Sequence, residues 1–511
     1  HMPGDTLNSL DGQQFDVVII GAGINGASSA QHLAAAGYSV LLADKGDFGS
    51  GSTSRSSRLL HCGLRFFETP RPLLDFALAP GKLAVALSMA RASMEMRGEI
   101  VKDSPERLRK FTMLFPILKH LPYSGWQLDL AFRLLGRYGP RDVPLDYRRL
   151  DAREAAALPF IGQLADTAQL ASVGAYTEYM FDWPERLCID AVLDAERMGA
   201  VVRNHTHATL GERSDGAWSV HLSGDGTATV HAPIVLNMAG IWIDTVNGAA
   251  AASARRLILG TKGSHIVVRL PDAFKDHGMA TINSVGEPHY VLPSQGGYHH
   301  IGPTETVYEG DLDDIKVDGP DRAFLLGETA RILPGLGLTD ADIVYTWAGV
   351  RPLGFDTAYP KGKRSVEIHD LGGDGLEGVH ALTAGPIMTH RSAGREMTQT
   401  VARSIAPSRP PKQPDYTPRR FPDNPNSPPL VAGDPRVKLS DLAHAATDEH
   451  ATTLADILIS RTGAIYHTPL SGDHLERAAQ AVSVHLGWDE AEVGRQIDET
   501  RHRLANIYQM D

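Results

Sequence analysis

DVVIIGAGINGASSAQHLAAAGYSVLLADKGDFGSGSTSRSSRLLHCGLRFFE, running from Asp16 to Glu68, decides the fold of this 511-residue chain. Val17-Val18-Ile19-Ile20 is apolar and β-branched throughout, the pattern of a parallel strand buried on both faces. Gly21-Ala22-Gly23-Ile24-Asn25-Gly26 follows at once. Gly21 allows a tight turn, Gly23 lets the backbone approach a pyrophosphate, and Gly26 lets the next helix pack on the strand. The spacing predicts that helix from about Ile24 to Ala36, with Gly37 as its stop. Its first turn aims free N–H groups, Asn25 among them, at a diphosphate. A second strand, Ser39 to Ala43, ends on Asp44, 18 residues after Gly26, where a carboxylate accepts both ribose hydroxyls and repels a 2′-phosphate.

The fingerprint leaves NAD and FAD open, and the residues after it decide. Ser52-Thr53-Ser54-Arg55-Ser56-Ser57-Arg58-Leu59-Leu60-His61-Cys62-Gly63-Leu64-Arg65 is a long hydroxyl-rich segment with three arginines, placed where the chain can turn under a flavin ring. Here the sequence resembles the FAD-dependent glycerol-3-phosphate dehydrogenases, within the wider D-amino-acid-oxidase-like flavoprotein group. The likeness recurs in order at Lys262-Gly263-Ser264-His265, at Tyr290 to Pro293 with Ile301 to Thr306, at Trp347-Ala348-Gly349-Val350-Arg351-Pro352-Leu353, and at Thr389-His390-Arg391. It spans about residues 12 to 403, and the tail near Leu454 to Ile507 is similar to the family's C-terminal domain. The resemblance implies FAD as cofactor, held by Ser54, Ser56, Ser57, Arg58 and His61 besides the fingerprint residues. Val202, Ala239, Gly240, Gly385, Met388 and Thr389 complete the expected cofactor contacts.

The remaining composition narrows the partners. A formal net charge of −12 argues against nucleic acid, which leaves a basic footprint on its binders. An anionic substrate must then be met locally, by a few arginines. Two cysteines, Cys62 and Cys188, cannot form a disulfide framework and fit a reducing cytoplasm. No run reaches the length of a spanning helix, no signal peptide precedes the first strand, and His1-Met2 reads as a cloning scar. The family includes peripheral membrane enzymes that pass electrons to quinone. The stretch Ile117 to Arg137 is amphipathic, which suits either an interface at the inner face of a membrane or packing on the protein itself. A homodimer is compatible with the sequence, and no metal site is expected.

The expected architecture is α/β: a discontinuous Rossmann-like FAD domain (12–75, 151–255 and 345–404), a helical insertion (76–150), and an antiparallel substrate roof (256–344). A helix from Asp190 to Met198, a strand at Ala200 to Arg203 and two further strands should precede the buried strand Ala232 to Met238. Residues 405–436, dense in proline, read as an extended linker separating a helical domain at 437–511.

Flavin oxidation of an alcohol needs a C–H held against N5, a base for the hydroxyl proton, and binding of the rest of the molecule. His265 in Lys-Gly-Ser-His is the candidate base, whereas His299 and His300 read as structural. Arg351 projects a guanidinium suited to carboxylate or phosphate, and by resemblance it holds the substrate together with Arg65. Lys361 is a further expected substrate contact. The chain departs from the family pattern at Cys62, Phe66 and Pro386, the last standing where the family carries a lysine. The expected function is oxidation of a secondary hydroxyl on a small anionic molecule, glycerol 3-phosphate or a related polyol or sugar phosphate, with quinone or O₂ as electron acceptor. The alternatives are an amine or hydroxy-acid oxidase and a flavin-binding paralogue without turnover.

Overall fold

The computed structural model describes residues 5–67 and 71–511, so Glu68 and the first four residues, His1-Met2 among them, lie outside the described residues. The fingerprint folds as β1 (Val17–Ile20), α1 (Ile24–Ala35) and β2 (Val40–Ala43). Among the described residues these belong to a six-stranded sheet ordered Glu367–Asp370, Val379–Thr383, Ile234–Asn237, β1, β2, Val201–Arg203. All its pairings are parallel except that of Glu367–Asp370, which runs antiparallel at the edge. Every β1 side chain is buried because alternate residues feed two cores. Val17 and Ile19 pack with α1 and the helix Pro184–Arg197, while Val18 and Ile20 face a three-stranded antiparallel sheet (His207–Ser214, Ala217–Ser223, Thr227–Ala232). That sheet has one strand more than the two expected.

A second, ten-stranded sheet forms the roof. Its long partners β3 (Ile258–Val268) and β4 (Ile343–Gly354) pair antiparallel along nearly their whole length. The roof is therefore wider than 256–344: β4 runs beyond residue 344, and Leu59–Leu60, Leu108–Leu118 and Leu170–Phe181 join from outside. Residues 76–150 are correspondingly not all helical. Pro80–Asp103 and Gly125–Tyr138 are helices, but Leu108–Leu118 is an eleven-residue strand. Its buried run Phe111 to Ile117 lacks the alternation that would distinguish strand from helix in sequence.

Residues 405–436 lack helix and end in a short hairpin, Pro429–Val431 paired with Asp434–Lys438, but they do not hang free. Arg409 N–H donates to the Gly37 carbonyl (2.9 Å), Lys412 N–H to Ala35 (2.7 Å), and the Tyr416 hydroxyl meets His32 Nε2 (2.7 Å). Prolines remove donors, so the strap is satisfied by scattered contacts on α1 rather than by a ladder. Nor does it keep the helical tail apart. Leu442, Leu458, Tyr466, Val482 and Tyr508 share one core with Val267, Tyr345 and Trp347 of the roof. No single helix among the described residues is long and apolar enough to cross a membrane.

Candidate active site

The glycine fingerprint shapes a cradle at the carboxyl end of β1. Gly21 has φ +105°, and a Cβ there would overlap the Met238 carbonyl oxygen; a Cβ on Gly26 would overlap the carbonyl oxygen of Gly21. Gly23 caps α1 without a side chain, and only Ile24 N–H of the opening residues is met by a hydroxyl, Thr53 Oγ1 at 3.0 Å. The α1 N-terminus is thus left with donors to offer a diphosphate. Asn25 Nδ2 donates to the Gly385 carbonyl (2.8 Å), joining the first and last pieces of the domain, while Asn25 Oδ1 is buried with no partner. Asp44 takes Ala22 N–H and Gly46 N–H, one on each oxygen (2.7 and 2.8 Å), so each oxygen keeps a lone pair for a ribose. Burial raises its pKa against those two hydrogen bonds. Ala239 and Gly240 open the turn after Ile234–Asn237, with Gly240 at φ +58°. Val202 packs its side chain into the core on the edge strand, and Met388 is buried beside Thr389 at the entrance of the helix His390–Ala402. A glycine-lined turn, an uncapped helix and an orphaned amide oxygen together fit a dinucleotide.

Residues Ser52 to Arg58 lie against β3 and β4, whose Thr261, Gly263 and His265 stand opposite Arg351, Gly349 and Trp347. Lys-Gly-Ser-His and Gly-Val-Arg-Pro are therefore one site seen on two paired strands. A Cβ on Gly349 would come within 2.6 Å of the Arg55 carbonyl, so glycine is what admits the loop. Ser52 Oγ donates to the Val350 carbonyl (2.7 Å), Trp347 Nε1 to Ser56 (2.9 Å) and His300 Nε2 to Ser57 (2.9 Å). Ser54 and Ser56 brace the loop itself: Ser54 Oγ donates to Gly51 and Ser56 Oγ accepts Arg58 N–H. Lys262 and Ser264 point the other way and clamp Asp321 of the helix Gly319–Ile332 (2.8 and 2.6 Å).

Arg58, at φ +63°, is buried between the rings of Trp347 (4.1 Å) and Tyr466 (4.9 Å), with Glu185 at 3.9 Å. His61 accepts Gly63 N–H on Nδ1, and burial followed by the Arg65 charge lowers its pKa to about 3. His265 is 1% exposed, stacked on Trp347 and 2.9 Å from Ser57 Oγ. Burial first, then His300, Arg351 and Arg58, push its pKa well below that of a free imidazole, so it is neutral.

The Arg351 guanidinium fills the space over Gly263 and donates to the Thr304 carbonyl (3.4 Å). Burial draws its pKa down to about 10 against the pull of Glu305. Against its own burial, Glu305 has its pKa lowered by Arg364, Arg351, a hydrogen bond from the Glu287 side chain and Arg65, in that order, with Arg364 at 2.9 Å. Sequence reasoning missed Glu305, and of the basic residues Lys361, Lys363 and Arg364 near the expected phosphate arginine it took only Lys361 as a contact. Glu305 stands in the quoted Gly302 to Thr306 motif, and Arg364 ends the basic run Lys361 to Arg364. Lys361 is exposed and reaches the cluster only through Glu287, with which it pairs at 2.6 Å and which hydrogen-bonds Glu305. Pro386 is exposed and brings no cation to the loop after Val379–Thr383.

A parallel sheet with a glycine cradle at its switch from strand to helix, roofed by an antiparallel sheet with a buried histidine and clustered arginines, defines a two-domain flavoprotein oxidoreductase. The model of the FAD dependent oxidoreductase family matches residues 16–400, and the chain belongs to that family. It is similar to glycerol-3-phosphate dehydrogenase of Synechocystis, 28% identical over 78% of this chain and 71% of that protein. The aerobic glycerol-3-phosphate dehydrogenase of Staphylococcus saprophyticus is 29% identical over 78% of this chain and 68% of its own length. In fold it matches the FAD-complexed glycerol-3-phosphate dehydrogenase of Bacillus halodurans, with TM-score 0.73, 20% identity and coverage of 98% and 96% of the two chains.

Proposed function

We propose that this FAD-dependent oxidoreductase dehydrogenates the secondary hydroxyl of a small polyol phosphate, with glycerol 3-phosphate the first candidate. The observation that carries this reading is the grouping of Arg65, Arg351 and Arg364 around Glu305, whose hydrogen-bonded neighbour Glu287 is paired with Lys361. With Lys361 and Glu287 cancelling each other, two positive charges remain for a dianion. The names of the curated relatives agree with it.

The α1 N-terminus, Asn25 and Asp44 hold the dinucleotide, and the Ser52–Arg65 loop lies against the roof where the flavin ring belongs. FAD supplies the two-electron acceptor that side chains lack. Arg351, Arg65 and Arg364 fix the phosphate end and so the carbinol carbon. Neutral His265 receives the hydroxyl proton. We further propose that the protein touches the cytoplasmic face of a membrane and passes electrons to quinone or O₂. Leu73, Leu74, Leu78 and Val85 are exposed on the helices Pro72–Leu78 and Pro80–Asp103, and Trp126 and Leu130 on the helix Gly125–Tyr138, whereas Leu128, Phe132 and Leu135 of that last helix pack inward.

The test is anaerobic mixing of the yellow holoenzyme with polyol phosphates, hydroxy acids and amino acids while flavin absorbance is followed. Bleaching fastest with a polyol phosphate is expected. Bleaching by a hydroxy acid or amino acid instead moves the substrate class, an outcome that the neutral Pro386 would favour, and silence across the panel ends the dehydrogenase reading.

A further inference from the structure

His265 is hidden from solvent, yet an acceptor of a substrate proton must be reached by the substrate. Its ring lies between Trp347 (centroids 5.3 Å apart, 21° between planes) and the edge of His300 (5.7 Å), and its Nδ1 is buried without a partner. Nε2 has one hydrogen-bonding neighbour among the described residues, Ser57 Oγ at 2.9 Å. Ser57 itself is half-buried, unlike the imidazole it meets. Its position is fixed twice from the roof, by His300 Nε2–H on its own carbonyl and by Trp347 Nε1–H on the carbonyl of Ser56 (both 2.9 Å). A hydroxyl held against a buried imidazole, on a residue that solvent partly reaches, has the geometry of a relay.

We infer that Ser57 is a catalytic residue, the group that carries the substrate's hydroxyl proton to His265. This rests on the alcohol-dehydrogenase reading above. As the carbinol O–H gives its proton to Ser57 Oγ, the Ser57 O–H gives its own to His265 Nε2. The C–H electron pair leaves carbon as hydride, with FAD as oxidant, and the alcohol becomes a carbonyl. The substrate thus loses one proton and one hydride, and the proton ends on His265. The relay requires the tautomer with hydrogen on Nδ1 and a bare Nε2.

The charges around the ring favour a base that is switched on by its substrate. Arg351 from β4, Arg58 from the loop and His300 from the strand His299–Gly302 are the titratable groups facing it, and none is an anion. They hold the imidazole neutral in the resting protein. A phosphate dianion on Arg351 cancels one of those fields when the proton must be taken up.

Two measurements test this on the FAD-loaded protein. With glycerol 3-phosphate, or whichever panel alcohol bleaches the flavin fastest, Ser57→Ala is expected to slow anaerobic bleaching by about 100-fold or more. Substrate affinity should stay within about threefold, and Ser57→Thr, which keeps the hydroxyl, should recover most of the rate. Bleaching at the wild-type rate in Ser57→Ala, or equal loss in Ala and Thr variants that retain FAD, overturns the relay while leaving the dehydrogenase reading intact. The second measurement needs no substrate: ring nitrogen-15 resonances of the holoenzyme, with the His265 signals assigned by their loss in His265→Asn. A protonated Nδ1 and a bare Nε2 near neutral pH are expected, and a protonated Nε2 refutes the relay even if no alcohol in the panel reacts.

Discussion

Arg351 illustrates how a residue's chemistry is set by its neighbours. Half-buried on the roof strand β4, its guanidinium would be costly to keep charged without an anion, and Glu305 supplies one that is shared with Arg65 and Arg364. On the proposed reading, an incoming phosphate meets groups already held in place. Because a charge-assisted hydrogen bond contributes about 1.5–3 kcal/mol, Arg351→Ala should lower the second-order rate of flavin bleaching by polyol phosphates roughly 10- to 100-fold. Stopped-flow comparison with wild type checks it, and equal rates would remove Arg351 from the substrate. Arg351, Arg65 and His265 were legible in the sequence because each lies inside a contiguous motif. Arg364 was not, since it reaches the cluster through a chain reversal. Gly354 and Lys363 exchange both backbone hydrogen bonds (3.0 and 2.8 Å), which returns the next residue toward β4, while Lys361 in the same basic run turns out to Glu287.

At the scale of elements, the β1–α1–β2 unit was readable to within a residue or two because its turn, packing and polarity all need particular side chains. Gly26 shows the tolerance: a single methyl there collides with the Gly21 carbonyl, which belongs to the turn that must wrap the diphosphate. Gly26→Ala should therefore yield protein that is folded but purifies colourless, with FAD content per chain reduced at least tenfold by absorbance. A yellow, stoichiometrically loaded Gly26→Ala protein would contradict the cradle. The strand Leu108–Leu118 was illegible for the opposite reason. Its identity comes from pairing with Leu170–Phe181, about sixty residues away, and its apolar run is equally compatible with a helix. The proline-rich strap was expected as a linker, and its anchorage at α1 depends on carbonyls and a tyrosine that no local pattern reveals.

The whole molecule is joined by buried charge between domains that sequence alone showed as separate. Arg186 grips Glu449 through two nitrogens (2.7 Å each), Arg461 grips Asp47 (2.7 and 2.9 Å), and the Tyr466 hydroxyl donates to Glu185 beside Arg58. The helical tail is thereby part of the wall behind the flavin loop, a relation spanning more than 250 residues in each pair. The same interface carries His205 against Asp456 (2.8 Å). Burial opposes both charges, but each partner overcomes it: His205 is raised above its usual value, and Asp456 is held at about 2. The Asp456 contribution is present above the unfolded carboxyl value of about 4 and lost as pH falls toward its folded one. The His205 contribution is complete below about 6.5 and lost as pH rises through its raised value. Docking of the tail should thus be tightest between those limits. In urea unfolding across pH, the gap between wild type and His205→Asn should narrow on either side of that window, and a gap independent of pH would deny the pair its role. The central claim concerns the chemistry these domains enclose: a bound flavin that takes hydride from the carbinol carbon of a polyol phosphate held by three arginines. The most direct measurement is anaerobic flavin bleaching by glycerol 3-phosphate carrying hydrogen or deuterium at its secondary carbon. The account predicts complete bleaching that slows several-fold with deuterium, whereas a flavin that stays oxidised in the presence of saturating substrate would contradict it.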